Sequence, residues 1–105
     1  MAQFVAYENP NKGTKKTYPY LLDIQSNLLD DLRTTVVIPL IPESVVGKKA
    51  ISKLCPVFLI TGKNYIALTQ QLAGIDRKLL GKEVCNLSQH HTEIVSALDF
   101  IISGI

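Results

Sequence analysis

Cysteine is scarce in this 105-residue sequence, which holds only Cys55 and Cys85, and tryptophan is absent altogether. The two thiols lie far apart with no C-x-x-C pairing, so no redox or metal motif is spelled out. Cys55 sits within Leu54-Cys55-Pro56-Val57, where a thiol behaves as a small hydrophobe. Both cysteines are therefore expected to be reduced, buried and inert. Long apolar runs are missing too: Val57-Phe58-Leu59-Ile60 is typical of the longest, against the ~20 residues of a transmembrane helix. Met1 to Glu8 shows no basic segment leading into an apolar one, so no secretion signal is read there and a cytoplasmic location is expected. An excess of one charge is lacking as well. Eleven Lys and Arg against nine Asp and Glu leave a formal net charge of +2, too little for non-specific nucleic-acid binding. Lysines gather at Lys12, Lys15 and Lys16 and again at Lys48, Lys49 and Lys53, but without the interleaved aromatics of a single-strand binder. They read as solvated loop lysines, with an acidic protein partner as the alternative.

What is present is enough apolar sequence for a folded chain: 47% hydrophobic and 19% charged, which excludes a disordered tail. The length suits a single domain over residues 1–105. Gln3 to Glu8, rich in Phe, Val and Tyr, predicts a strand. Asn9-Pro10-Asn11-Lys12-Gly13 is turn chemistry. Between Tyr18 and Gln25, Tyr18, Tyr20, Leu22 and Ile24 alternate with their neighbours, which predicts a half-buried strand. Ser26 to Arg33 reads as a polar loop, yet it contains Leu28 and Leu29. These either tuck under the loop or form a small interaction patch. Thr34 to Leu40 is apolar on both faces, as a central strand requires, and Pro39 is expected at its end or at a bulge. Leu54–Thr61 and Tyr65–Gln70 read as a hairpin closed by Gly62-Lys63-Asn64. Tyr65, Ala67 and Thr69 fall on one face, and Ile66, Leu68 and Gln70 on the other. Gly74 and Gly81 bracket Ile75 to Leu80, which reads as a short strand or an extended segment.

The period then changes. Ser88 is a candidate N-cap. Ile94, Leu98, Ile101 and Ile105, widened by Val95 and Ile102, form one helical stripe. Gly104 is placed as the stop, giving a helix over about residues 88–103. The whole is mainly β: a bent antiparallel sheet or barrel with one C-terminal helix. So broad a stripe also predicts a homodimer.

Chemistry is sparse. No phosphate-binding, nucleophile-elbow or zinc-protease motif occurs. The adjacent His90 and His91 point ~100° apart on a helix and cannot share one metal; both are expected to be exposed. Asp30 and Asp31 are loop neighbours, and Arg33 and Arg77 are the sole arginines. No catalytic residue, metal site or cofactor is assigned, and the residues alone point to a β-rich binding protein.

Several segments in order carry a resemblance. They are Leu22-Asp23-Ile24-Gln25-Ser26-Asn27-Leu28-Leu29-Asp30, Val37-Ile38-Pro39-Leu40, Leu54-Cys55-Pro56-Val57, Gly81-Lys82-Glu83-Val84-Cys85-Asn86-Leu87-Ser88 and Ser103-Gly104-Ile105. Together the set resembles CcdB, the toxin of CcdA/CcdB toxin–antitoxin modules, with no gap from about Tyr18 onward. The resemblance implies an SH3-like barrel with a C-terminal helix in a symmetric dimer. It implies a non-enzymatic toxin that binds the A subunit of DNA gyrase, traps the gyrase–DNA cleavage complex and causes double-strand breaks. It also implies neutralisation by a CcdA-like antitoxin, with operator DNA bound only as part of the toxin–antitoxin complex, and no membrane association. The gyrase-contacting residues carried over are Ser26, Leu28 and Leu29 in the loop, Asp99 and Ile102 on the helix, and Ser103, Gly104 and Ile105 at its end. One departure stands out: the family's terminal tryptophan is Ser103 here, which removes an aromatic stack on a gyrase arginine. The competing reading is an mRNA-cleaving endoribonuclease of the MazF/Kid type on the same fold. The Gly-Asp and Arg-Pro features of those enzymes are absent from Gln3-Phe4-Val5-Ala6-Tyr7. An inactive antitoxin decoy is a third reading.

Overall fold

A computed structural model describes residues 3–46 and 53–104. Among the described residues seven strands form the sheet: β1 (Val5–Glu8), β2 (Tyr20–Asp23), β3 (Thr34–Pro42), β4 (Val57–Ile60), β5 (Lys63–Ala67), β6 (Ala73–Asp76) and β7 (Glu83–Asn86). Two α-helices are described, the single turn α1 (Glu43–Val46) and the C-terminal α2 (His91–Ser103). Every pairing is antiparallel, and the strand order is β4-β5-β3-β2-β1-β7 with β6 against β3. The sheet curls into a half-barrel with α2 packed on it, the mainly β architecture expected of this sequence.

β3 makes the curl possible. One edge pairs with β2; the other pairs with β6 through Thr34–Val37 and then with β5 through Leu40–Pro42. Pro39 does not end the strand, which runs on to Pro42. It lies where β3 changes partner, and its carbonyl still accepts from the Leu68 N–H (3.0 Å). A strand residue's N–H and C=O point the same way. The donor that proline lacks therefore falls in the gap between β6 and β5, where no ladder bond is lost.

The expected alternation places the core. Phe58 and Ile60 of β4 are buried, while Val57 and Leu59 face outward. On β5, Tyr65 and Ala67 join Leu22, Ile38, Leu40, Phe58, Leu87 and Ile94 in the main core. Ile66 and Leu68 instead join Ile41 and Cys55 in a second cluster on the opposite face. The β4–β5 hairpin is tighter than expected. Lys63 and Asn64 already belong to β5, and the turn is Thr61-Gly62 with both residues at positive φ (49° and 83°). A two-residue turn of that hand matches the strands' twist. The remaining strands are shorter than the alternation suggests. The 75–80 segment divides into the end of β6 and a 3-10 turn, and β7 is a strand that the sequence pattern does not announce.

Ser88 is not the helix N-cap. It opens a 3-10 turn whose first N–H bonds Asn86 Oδ1 (2.8 Å), and α2 begins at His91 without a side-chain cap. Nor are both histidines exposed. His90 is half-buried, with its ring 5.0 Å from that of Phe58 and Nδ1 3.0 Å from Glu93. The helix seats itself through Ile94 and Ala97, both buried, with Leu98 packed alongside. The helix also lies against the turn Thr69–Gln71. Burying Ile94 contributes ~1.5–3 kcal/mol. Val95, Ile101 and Ile102 of the expected stripe remain exposed. Cys55 is buried and its Sγ contacts Gln70 Oε1 at 3.4 Å. Cys85 is half-buried, and desolvation raises its thiol pKa, which keeps it protonated at neutral pH. Among the described residues no helix is long and apolar enough to cross a membrane.

Candidate functional site

The loop after β2 starts from a tightly satisfied base. Asp23 is buried, and its Oδ1 accepts from Thr35 Oγ1 (2.7 Å) and from the Gln25 N–H (3.2 Å). Gln25 Nε2 reaches across to the Thr34 carbonyl (3.1 Å), closing the neck of the loop. Asn27–Leu29 then form one 3-10 turn. Ser26 Oγ accepts the Leu28 N–H (3.2 Å), the local capping that serine offers a turn. From the N-terminal segment, the Gln3 N–H donates to Asn27 Oδ1 (2.9 Å) and Gln3 Nε2 to the Ile24 carbonyl (3.2 Å).

This framework turns the leucines outward. Leu28 is 94% exposed and Leu29 46%, so of the two readings of this pair the structure takes the exposed one. Leu32, in the same loop, is a third exposed leucine.

The second group lies at the end of α2. Ile102 is 85% exposed, and Asp99, Ser103 and Gly104 are exposed as well. Gly104 adopts φ 74° and its N–H bonds the Phe100 carbonyl (2.9 Å), a left-handed C-cap that suits glycine. Ser103 Oγ donates to the Asp99 carbonyl (2.8 Å), one turn back on its own helix. Phe100 is half-buried beneath the Lys53 ammonium, which sits 5.5 Å from the ring centre. Ile105, the last residue carried over from the resemblance, lies outside the described residues, as do Lys48 and Lys49 of the second lysine group.

Sequence reasoning does not find what holds the loop from outside. Arg77, the residue after β6, directs Nε to the Leu32 carbonyl (2.6 Å) and Nη2 to the Leu29 carbonyl (3.1 Å), with Asp30 Oδ1 at 3.9 Å. Its side chain is only 12% exposed. Arg33 lies 3.5 Å from Asp76 at the same junction, but its side chain is 81% exposed. That only two arginines occur, and that neither belongs to a recognisable motif, is the one faint signal.

The candidate residues protrude rather than enclose. Three surface concavities of about 440, 470 and 480 Å³ are lined elsewhere, by groups such as Tyr18, Leu21, Ile75 and Leu79, or Glu43, Lys63 and Asn64, or Lys53, Thr92 and Glu93. None of the three is lined by Ser26, Leu28, Leu29, Asp99, Ile102, Ser103 or Gly104. An exposed apolar projection beside a carboxylate can fill a partner's cavity; it does not enclose a small substrate. Against known families, the model described as CcdB protein matches residues 3–104, nearly the whole chain.

Proposed function

Since the chain belongs to the CcdB family, and is by that membership a toxin of a toxin–antitoxin module acting on gyrase, we propose that it poisons gyrase by binding the A subunit of that enzyme. It traps the gyrase–DNA cleavage complex, and double-strand breaks follow. The contact residues in this reading are Ser26, Leu28, Leu29, Asp99, Ile102, Ser103, Gly104 and Ile105. A CcdA-like antitoxin removes the toxin from gyrase, and operator DNA is bound only by the toxin–antitoxin complex. The protein acts in the cytoplasm as a single-domain homodimer, and the exposed Val95 and Ile101 of α2 provide apolar area for pairing. It performs no chemistry itself and needs no cofactor.

The observation that carries this reading is the family match across residues 3–104. The outward Leu28 and Ile102 support it, because each is an apolar side chain that only a partner can bury. The decisive experiment mixes the protein with purified gyrase and supercoiled plasmid. Linear DNA accumulating only when both proteins are present is the expected result. RNA cleavage without gyrase would move the assignment to the endoribonuclease class. Inertness in both assays, with antitoxin still bound, would leave the decoy.

A further inference from the structure

We propose that Arg77 is a positioning residue for partner binding: its guanidinium holds the 26–33 loop in the shape that projects Leu28 and Leu29. The inference rests on the gyrase reading above and names a residue that reading does not contain.

The loop has no apolar anchor of its own. No residue of the Asn27–Leu29 turn is buried, and Leu32 is exposed beside it. Its shape therefore depends on polar bonds. Two of its carbonyls, Leu29 and Leu32, receive their side-chain donors from a single group 48 and 45 residues away in sequence. The Arg77 N–H also bonds the Arg33 carbonyl (3.0 Å), so backbone and side chain grip the same segment. A guanidinium is a rigid planar fork with several donors, and lysine cannot reproduce two divergent bonds from one fixed head. The Arg77 side chain is 12% exposed against 81% for Arg33, so packing along its length holds it in one place where Arg33 remains free to move in solvent. A loop already ordered in its binding shape loses less entropy when it docks.

Arg77→Lys and Arg77→Ala test this, with affinity for the purified gyrase fragment that the native chain binds and the thermal midpoint as readouts. The expected result is roughly tenfold weaker binding with the midpoint nearly unchanged. A double-mutant cycle separates positioning from general stability. Leu28→Ala should weaken the native chain roughly tenfold, but only about threefold or less once Arg77 is lysine, because the leucine is then no longer held in place. Unchanged affinity in the Arg77 variants, or full additivity with Leu28→Ala, overturns the proposal while leaving the gyrase reading intact. Failure of the native chain to bind gyrase overturns the gyrase reading, and this inference with it. Should Arg77→Ala fail to fold, Arg77→Lys, which keeps the charge and most of the bulk, decides.

Discussion

The two segments that carry the candidate residues are built by different means. The end of α2 is held by bonds within a few residues: Gly104 to Phe100, and Ser103 to Asp99. The 26–33 loop has its own local turn at Asn27–Leu29, but it is also held from far away in the chain, by Gln3 at one side and Arg77 at the other. The helical half carries its instructions in its own period and its terminal glycine. The loop half borrows its shape from β6 and the N-terminus. Changes inside the helical segment should therefore act on that segment alone, whereas the loop should respond to substitutions remote in sequence.

The largest expected effect comes from removing Gly104 and Ile105. In the proposed reading gyrase binding falls by roughly a hundredfold or more, because the deleted residues include an apolar anchor. The thermal midpoint and antitoxin binding stay nearly unchanged, since the seating residues Ile94, Ala97 and Leu98 remain. A truncated protein that still linearises plasmid with gyrase would break the assignment of the helical half. Next is Ile94→Ala, which leaves a cavity beneath α2 and should cost ~2–4 kcal/mol in chemical denaturation. Its exchange signature should be loosened α2 amides with the loop amides unaffected; loosening of both would erase the distinction between the halves. Third, Ser103→Trp restores the aromatic the family carries there and should tighten gyrase binding roughly tenfold through an arginine stack. Equal affinity before and after would mean that the loop leucines, not position 103, dominate in this chain. The smallest effect is that of Ser26→Ala. It removes the bond to the Leu28 N–H at a local cost of ~1 kcal/mol, read as a few-fold loss of affinity, smaller than that of Arg77→Lys. A loss larger than the Arg77 variants show would make the loop locally encoded after all.

Much of the fold is legible in the sequence because it follows from short-range patterning. β3 is visible as an apolar run on both faces, the two faces of β5 as alternation, and the end of α2 as a stripe stopped by glycine. The departures from expectation share a cause. Pro39 has the chemistry to end a strand, but it sits where β3 trades β6 for β5, a gap that sequence does not display. Ser88 has the chemistry of an N-cap, but Asn86 supplies the bond instead and the chain makes a 3-10 turn first. Val95, Ile101 and Ile102 belong to the helical period yet stay outside, because the face of α2 that meets the core is the narrower one carrying Ile94, Ala97 and Leu98.

By itself, then, the sequence determined the mainly β class, the C-terminal helix and its stop, and the set of segments by which the family resemblance could be seen. Hydrophobic period, turn residues and caps act between near neighbours, and those neighbours are written side by side. Whether Leu28 and Leu29 faced the core or the solvent was decided only in three dimensions. So were the partner change along β3 and the arginine that closes around the loop. Each depends on which distant strand arrives alongside, and that is set by the packing of the sheet as a whole.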